Sequence, residues 1–280
     1  MTTNNVIAAQ TLDIASLIRP NSLQRIRAIA VNTFRESVRD RVLYNLILFV
    51  LLLVGASIFI SDVSLDQEAK FIADLGLSAM VVFGALIAIF IGVGLVFKEI
   101  DKRTIYNLLS KPVNRHEFII GKYLGLCLTL LVNSSVMIAG TELALLYVNR
   151  GFTPLCLSIL PAAYLIFLEL MLVIAMALMF SSFSTPMLSA LLSFAFYVIG
   201  HFSGDLRLAA QITESSFTRV VVTVLYYLLP NLSNFSFIAQ ASYGVIAPGK
   251  LIISASIYAL IYISIVISAA VLIFRNRNFK

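Results

Sequence analysis

The sequence predicts an all-α integral membrane protein: six transmembrane helices, an amphipathic interfacial helix before them, and a re-entrant or interfacial helix between spans five and six. Of its 280 residues, 60% are hydrophobic and 12% are charged, whereas about half of a soluble globular domain is apolar. The apolar residues also form runs of about 20, the length that crosses a bilayer core roughly 30 Å thick. Composition and run length therefore predict that lipid surrounds most of the chain.

The amphipathic helix is predicted at residues 22–41. Apolar side chains recur there at spacings of three and four, at Leu23, Ile26, Ala30, Phe34 and Val38. This is the pattern of one helix face. Most of the arginines and polar residues occupy the other face, so we expect the helix to lie on the inner membrane surface. Residues 1–41 then form a cytoplasmic N-terminal region, and residues 42–280 form a single transmembrane domain.

The six predicted spans follow this helix. Five long apolar runs cover residues 42–60, 75–97, 118–148, 155–180 and 251–274, and a shorter run covers residues 187–202. The stretch 217–229 is too short to cross and contains Arg219, and Pro230 ends it. We therefore predict that this stretch is the re-entrant or interfacial helix, within an external segment that covers residues 203–250.

The basic residues indicate the orientation of the spans. Fifteen of the 20 lysines and arginines lie before the first span, in the loop 98–122, or after the last span. Basic residues are retained on the cytoplasmic side, and six spans place all three regions there, whereas seven would not. The N-terminus, this loop and the C-terminus are therefore predicted to be cytoplasmic. The early residues lack the pattern of a removable signal peptide, so we expect the first span to direct membrane insertion.

The cytoplasmic loop 98–122 is the most informative segment. A short helix containing Ile100, Ile105, Leu108 and Leu109 is expected to end at Pro112. Asn114 can cap the helix that follows, with Glu117 completing a capping box. A rigid amphipathic helix at this place can dock in a groove of a soluble partner. It can equally bind lipid headgroups.

The run KRTIYNLLSKPVNRHEFIIGKYLG, from Lys102 to Gly125, with Glu99 before it, resembles the first cytoplasmic loop of ABC type-2 permeases. The layout of a surface helix, six spans and a partly re-entrant external segment is also similar to that family. Among its members, the chain resembles the homodimeric permeases, including those of the copper-supply system for nitrous oxide reductase. The resemblance implies that an ATPase-coupling helix contains Glu99, Lys102, Arg103, Ile105, Tyr106, Leu108 and Leu109.

The same resemblance implies a function and partners. The chain would be the permease subunit of an ATP-driven exporter in a bacterial inner membrane, assembled from two copies of itself and two ATPase subunits. ATP and magnesium would bind the ATPase, because this chain contains no phosphate-loop motif. We therefore predict a transport subunit that is not itself an enzyme, binds no cofactor and no nucleic acid, and contacts membrane lipids.

Three polar residues inside the predicted spans are further candidates. Glu142 lies toward the outer end of the third span, Glu169 lies near the middle of the fourth, and Asn133 is a potential hydrogen-bond neighbour. Ionised carboxylates are costly at this depth, so each acid is expected to face protein, water or another polar group. The alternative function is a proton-coupled secondary transporter that uses Glu169 and Glu142. In a third interpretation, an ATPase moves the permease to act on an external accessory protein through residues 203–250.

Other residues predict packing rather than chemistry. Gly92 and Gly94, and the Gly121–Gly125 pair with its small-xxx-small spacing, predict close helix approach. Cys127 and Cys156 are expected to be apolar fillers near opposite membrane faces. His116 lies in the loop and His201 is expected near the outer membrane edge, so the sequence predicts neither a haem site nor a metal site.

Overall fold

The computed structural model describes residues 21–39, 48–49, 51–53, 55, 67–101, 114–203, 219 and 229–276. Every regular element within these ranges is helical. The helices are α1 (Ser22–Arg39), α2 (Glu68–Asp101), α3 (Arg115–Asn149), α4 (Pro154–Ser181), α5 (Pro186–His201), α6 (Ile238–Ser242) and α7 (Gly249–Asn276), with a short 3-10 helix at Leu232–Phe235. The predicted all-α class is therefore confirmed for the described part of the chain.

Four of these helices, α2, α3, α4 and α7, are long and apolar enough to cross a membrane. They match the runs predicted at 75–97, 118–148, 155–180 and 251–274. The predicted short span is α5, whose 16 residues give a length of about 24 Å. Most of the first predicted span, 42–60, lies outside the described residues, although its described positions are helical. Six spans therefore stay a prediction.

The fourth predicted span, α4, is the centre of the bundle. It packs against α2, α3, α5 and α7, and 78% of its most apolar window is buried, compared with 22% for α7. Glycines on α2 allow close contact: a Cβ at Gly92 would lie 2.9 Å from the Ala177 Cβ, and one at Gly84 would lie 2.5 Å from Leu170. Close approach was predicted for Gly92 and is confirmed there. At Gly94 the prediction of close approach was wrong for the described part of the chain, where an added Cβ would meet no atom within 4 Å.

The surface helix α1 forms where the sequence predicted it, and it packs along the first half of α3. A Cβ at Gly121 would lie 2.7 Å from the Ile29 Cβ, and one at Gly125 would lie 2.5 Å from the Ala30 carbonyl oxygen. The predicted small-xxx-small contact is therefore confirmed. The two glycines leave a shallow groove on α3, and small side chains of α1, including the buried Thr33, fit into it.

The structure shows which side chains of α1 contact the protein, and the position of α1 on the membrane surface stays a prediction. Leu23 is 79% exposed and Val38 is 39% exposed, whereas Thr33 and Ser37 are buried. The reason is that the groove at Gly121 and Gly125 of α3 has room only for small side chains. The face of α1 that carries small residues therefore packs against α3. The larger apolar side chains at the two ends of α1 remain outside that contact.

The described part of the external segment packs against α2, α4 and α5. Gly200 approaches Leu232 and the Pro230 carbonyl. The Ser203 hydroxyl donates to Asn231 Oδ1 at 2.6 Å, and the Asn231 backbone N–H donates to the Tyr258 hydroxyl oxygen at 2.8 Å. These bonds connect α5, the external segment and α7. The re-entrant helix predicted at 217–229 lies almost entirely outside the described residues.

Candidate coupling junction and intramembrane polar pair

The predicted coupling helix falls largely outside the described part of the chain. Residues 102–113, which include Lys102, Arg103, Ile105, Tyr106, Leu108 and Leu109, are not described. Glu99 continues the last turns of α2, which ends at Asp101, and therefore does not begin a separate helix. What the structure does describe are the two helices that hold this loop, α2 on one side and α3 on the other.

The first residues of α3 form the capping arrangement that the sequence predicted. Asn114 occupies the N-cap position with an extended backbone. Its backbone N–H donates a hydrogen bond to Glu117 Oε2 at 3.0 Å. This bond satisfies a donor that the helix itself leaves without a partner. The point at which the loop re-enters the bundle is thus a well-formed helix start.

Glu117 also holds α1. Arg25 Nε donates to Glu117 Oε2 at 3.0 Å, and Arg25 Nη2 donates to Glu117 Oε1 at 2.8 Å. The Glu117 side chain is 1% exposed and that of Arg25 is 21% exposed. Two parallel charge-assisted bonds fix both distance and orientation. Hydrogen bonding to the carboxylate raises the pKa of Arg25 above its ordinary value.

Arg115 joins the same helix start to the end of α7. Its Nη1 donates to the carbonyl oxygens of Phe274 at 3.1 Å and of Arg275 at 2.7 Å. A cation at this place compensates the carbonyls and the negative dipole end of a helix C-terminus. The Phe118 and Phe274 rings stack beside these bonds, with centroids 5.8 Å apart.

Lys122 provides a second charged link to α1. It is 1% exposed. Its Nζ lies 3.9 Å from Glu36 Oε2 and 5.7 Å from the centroid of the Phe118 ring. We call this group of side chains the α3 junction. Its members are Arg25, Glu36, Arg115, Glu117, Phe118, Lys122 and Phe274. It joins α1, α3 and α7 immediately after the predicted coupling loop.

The α3 junction was not predicted beyond its capping box. The partners Arg25 and Glu117 are separated by 92 positions in sequence, and Arg115 is separated by 159 from Phe274. The sequence indicated Arg25 as part of the polar face of the amphipathic helix and Arg115 as part of the basic loop, with no partner for either. Neither pairing has a local signal, because the partners come from different helices that are distant in sequence.

The structure pairs Glu169 with a residue that the sequence placed elsewhere. Glu169 is 1% exposed, and its Oε1 lies 3.6 Å from His201 Nε2. The expectation that His201 lies near the outer membrane edge was wrong. Helix α5 begins soon after α4 ends at Ser181 and has only 16 residues. Its last residue, His201, therefore reaches about the level of Glu169, roughly half-way along α4.

The other intramembrane candidates do not join this pair. Asn133 Nδ2 contacts Met137 Sδ at 3.9 Å, and the Thr141 hydroxyl donates to the Met137 carbonyl at 3.0 Å. Glu142 is half-buried and lies beside the Cys156 thiol. The described hydrogen bonds connect none of these groups to Glu169. Both cysteines are free and buried, as expected for fillers.

A cleft of about 460 Å³ opens at the other end of the bundle, where α2 and α4 begin and α3 ends. Its lining includes Gln67, Asn149 and Thr153, and Lys70 lies with its Nζ 3.7 Å from the centroid of the Tyr243 ring. Within the described ranges, no group of three histidine, cysteine or acidic side chains is placed to hold a metal ion.

Comparison with known proteins gives one family. The family model described as "ABC-2 family transporter protein" matches residues 27–278. The match begins inside α1, two positions after Arg25, so it includes the other residues of the α3 junction and the Glu169–His201 pair. A search of curated proteins gives no match.

Proposed function

Because this chain belongs to the ABC-2 family of transporter permeases, we propose that it is the membrane-spanning subunit of an ATP-driven exporter and forms the translocation path. Two copies of the chain would assemble with two separate ATPase subunits in a bacterial inner membrane. Both termini and the loop 98–122 would face the cytoplasm, where the ATPase binds ATP and magnesium. The family and the long apolar helices support a multi-pass permease. Export and stoichiometry are part of the proposal.

In this proposal the predicted coupling residues 102–109, which follow the end of α2, dock on the ATPase and transmit its motion to the membrane domain. The side chains of Ile105, Leu108 and Leu109 supply the apolar face of the docking helix, and Lys102 and Arg103 supply its charges. The loop re-enters the bundle at Asn114, directly before α3. Any displacement of the loop would therefore act first on the start of α3.

The observation that carries the proposal is the bidentate ion pair of Arg25 with Glu117, one turn after the loop. It fixes the start of α3 to α1, and the Arg115 bonds fix the same turn to the end of α7. A helix start held at several points moves with its neighbours rather than bending alone. The α3 junction would thus convert a local push on the loop into a common movement of three helices.

The experiment is vanadate-sensitive ATP hydrolysis by the complex purified through a tag on this chain, after co-expression with the neighbouring ATPase gene. We expect Leu108→Asp to abolish substrate-dependent hydrolysis, because an added carboxylate disrupts an apolar docking face. The matched control is Phe152→Asp, since Phe152 is 84% exposed in the turn between α3 and α4, at the opposite end of α3. Equal activity in the native complex and Leu108→Asp would contradict the coupling role.

The alternative function, a proton-coupled secondary transporter, predicts the opposite effects of these substitutions. Such a carrier would lose transport in Glu169→Gln or Glu142→Gln and would be indifferent to Leu108→Asp. Purification of the chain without any ATPase, together with transport driven by a pH gradient in vesicles, would favour the carrier. Normal hydrolysis without movement of any substrate would instead favour action on an external accessory protein through residues 203–250.

A further inference from the structure

Glu169 and His201 form an isolated polar pair in the middle of an apolar bundle. The Glu169 side chain is 2% exposed and the His201 side chain is 31% exposed, and Oε1 lies 3.6 Å from Nε2. Glu169 Oε1 and His201 Nδ1 are both buried, and neither makes a hydrogen bond within the described residues. The Tyr197 backbone, one turn earlier on α5, is a further hydrogen-bond neighbour of the imidazole.

The energetics of burial decide how many protons the pair holds. An ionised carboxylate or an imidazolium alone at membrane depth is costly, because protein and lipid replace water. One proton on either group leaves the pair with zero net charge. Two protons would leave a buried positive charge, and no proton would leave a buried negative charge. The neutral, singly protonated pair is therefore the state that this environment favours.

The neighbouring elements offer few competing titratable groups. On α5, the Tyr197 ring lies one turn before His201, with ring centroids 4.9 Å apart. At membrane depth on the other described helices, α3 carries Tyr123, Cys127 and Glu142, and α7 carries Tyr258 and Tyr262. The Tyr123 hydroxyl donates to the Met171 carbonyl at 3.4 Å, and Glu142 lies beside the Cys156 thiol. Residues 75–94 of α2 contain no titratable side chain. Among the described residues, only His201 offers Glu169 a group that titrates near neutral pH.

We propose that Glu169 and His201 together form a proton-binding site inside the membrane, in which one proton is held by one group or the other. His201 is the more exposed partner, so the proton enters and leaves through it. The site connects the middle of α4 to the last residue of α5, directly before the external segment. The proposal concerns this chain alone and does not depend on coupling to an ATPase.

The test is infrared difference spectroscopy between acid and neutral pH on the purified chain in phosphatidylcholine vesicles. We expect a protonated-carboxyl C=O band that disappears in Glu169→Gln and persists in Glu142→Gln, the half-buried acid beside Cys156. In His201→Asn we expect the Glu169 band to shift in frequency and in its pH midpoint, because the carboxyl has lost its proton-sharing partner. Tyr197→Phe should leave the band unchanged.

Two results would overturn the proposal. One is a Glu169 band with the same frequency and midpoint in the native chain and in His201→Asn. The other is the absence of any titrating band that Glu169→Gln removes. If Glu169→Gln does not fold, the native protein is compared with His201→Asn instead. In addition, the double variant Glu169→His with His201→Glu should restore a titrating carboxyl band. ATP hydrolysis is not part of the readout, so failure here leaves the proposed function standing.

Discussion

The guanidinium of Arg25 and the carboxylate of Glu117 meet through two hydrogen bonds, of 3.0 and 2.8 Å, although 92 positions separate them in sequence. Glu117 also accepts from the Asn114 backbone N–H. One buried carboxylate thus caps α3 and fastens α1 to it. The start of α3 is therefore held both by its own cap and by the neighbouring helix α1.

We predict that Arg25→Met destabilises the protein more than Arg27→Met. The first change leaves the buried Glu117 carboxylate without its bidentate partner, whereas Arg27 is exposed on the same helix. Thermal unfolding in detergent measures the difference. The double variant Arg25→Met with Glu117→Gln should be more stable than the sum of the two single effects indicates, because it removes the stranded charge. Strict additivity would show that the pair does not act as a unit.

Lys122→Met should cost less than Arg25→Met. Lys122 is buried, but its partner Glu36 has a side chain that is 36% exposed and can return to water when the lysine is lost. Methionine also keeps most of the apolar stem that packs near Phe118. We expect a loss of about 1 kcal/mol or less, in the range of partly exposed ion pairs. A loss equal to that of Arg25→Met would indicate that Lys122 compensates another buried group.

Gly125→Ala should destabilise the contact of α1 with α3. The added methyl would lie 2.5 Å from the Ala30 carbonyl oxygen, so the helices must separate. Overpacking of this kind costs about 1–3 kcal/mol. The matched control is Gly94→Ala, where an added Cβ meets no atom within 4 Å and higher helix propensity should gain up to about 1 kcal/mol. Chemical denaturation of both variants tests the opposite signs.

Arg115→Gln should loosen the end of α7 while leaving its centre unchanged. The Arg115 guanidinium donates to the Phe274 and Arg275 carbonyls, and a cation at a helix C-terminus contributes about 0.3–1 kcal/mol. We expect faster hydrogen exchange in the last turn of α7, measured by mass spectrometry. His116→Gln is the control, because His116 is the exposed neighbour on the same helix. Equal hydrogen exchange in the two variants would show that Arg115 does not stabilise the end of α7.

The candidate site could be predicted from the sequence only where its signals are local. Asn114 and Glu117 stand three positions apart, and that spacing was enough to predict the helix start. The coupling role of residues 99–109 rests on family resemblance and stays a prediction. The pairing of Glu169 with His201 had an overlooked signal, because the run predicted at 187–202 is shorter than a bilayer core. In the predicted topology its last residue therefore need not reach the outer edge.

The sequence by itself determined the all-α membrane class, the helical runs and the close helix approach at Gly121 and Gly125. These features depend on whether a segment faces lipid or water and on the size of its side chains. Both can be read directly from residue composition and spacing. Only the tertiary structure decided which face of α1 is buried, that Arg25 meets Glu117, and that Glu169 meets His201. Such contacts depend on how deep each helix lies in the bundle and on its rotation about its own axis. Both are determined when the helices pack together, so the sequence of one helix alone does not predict them.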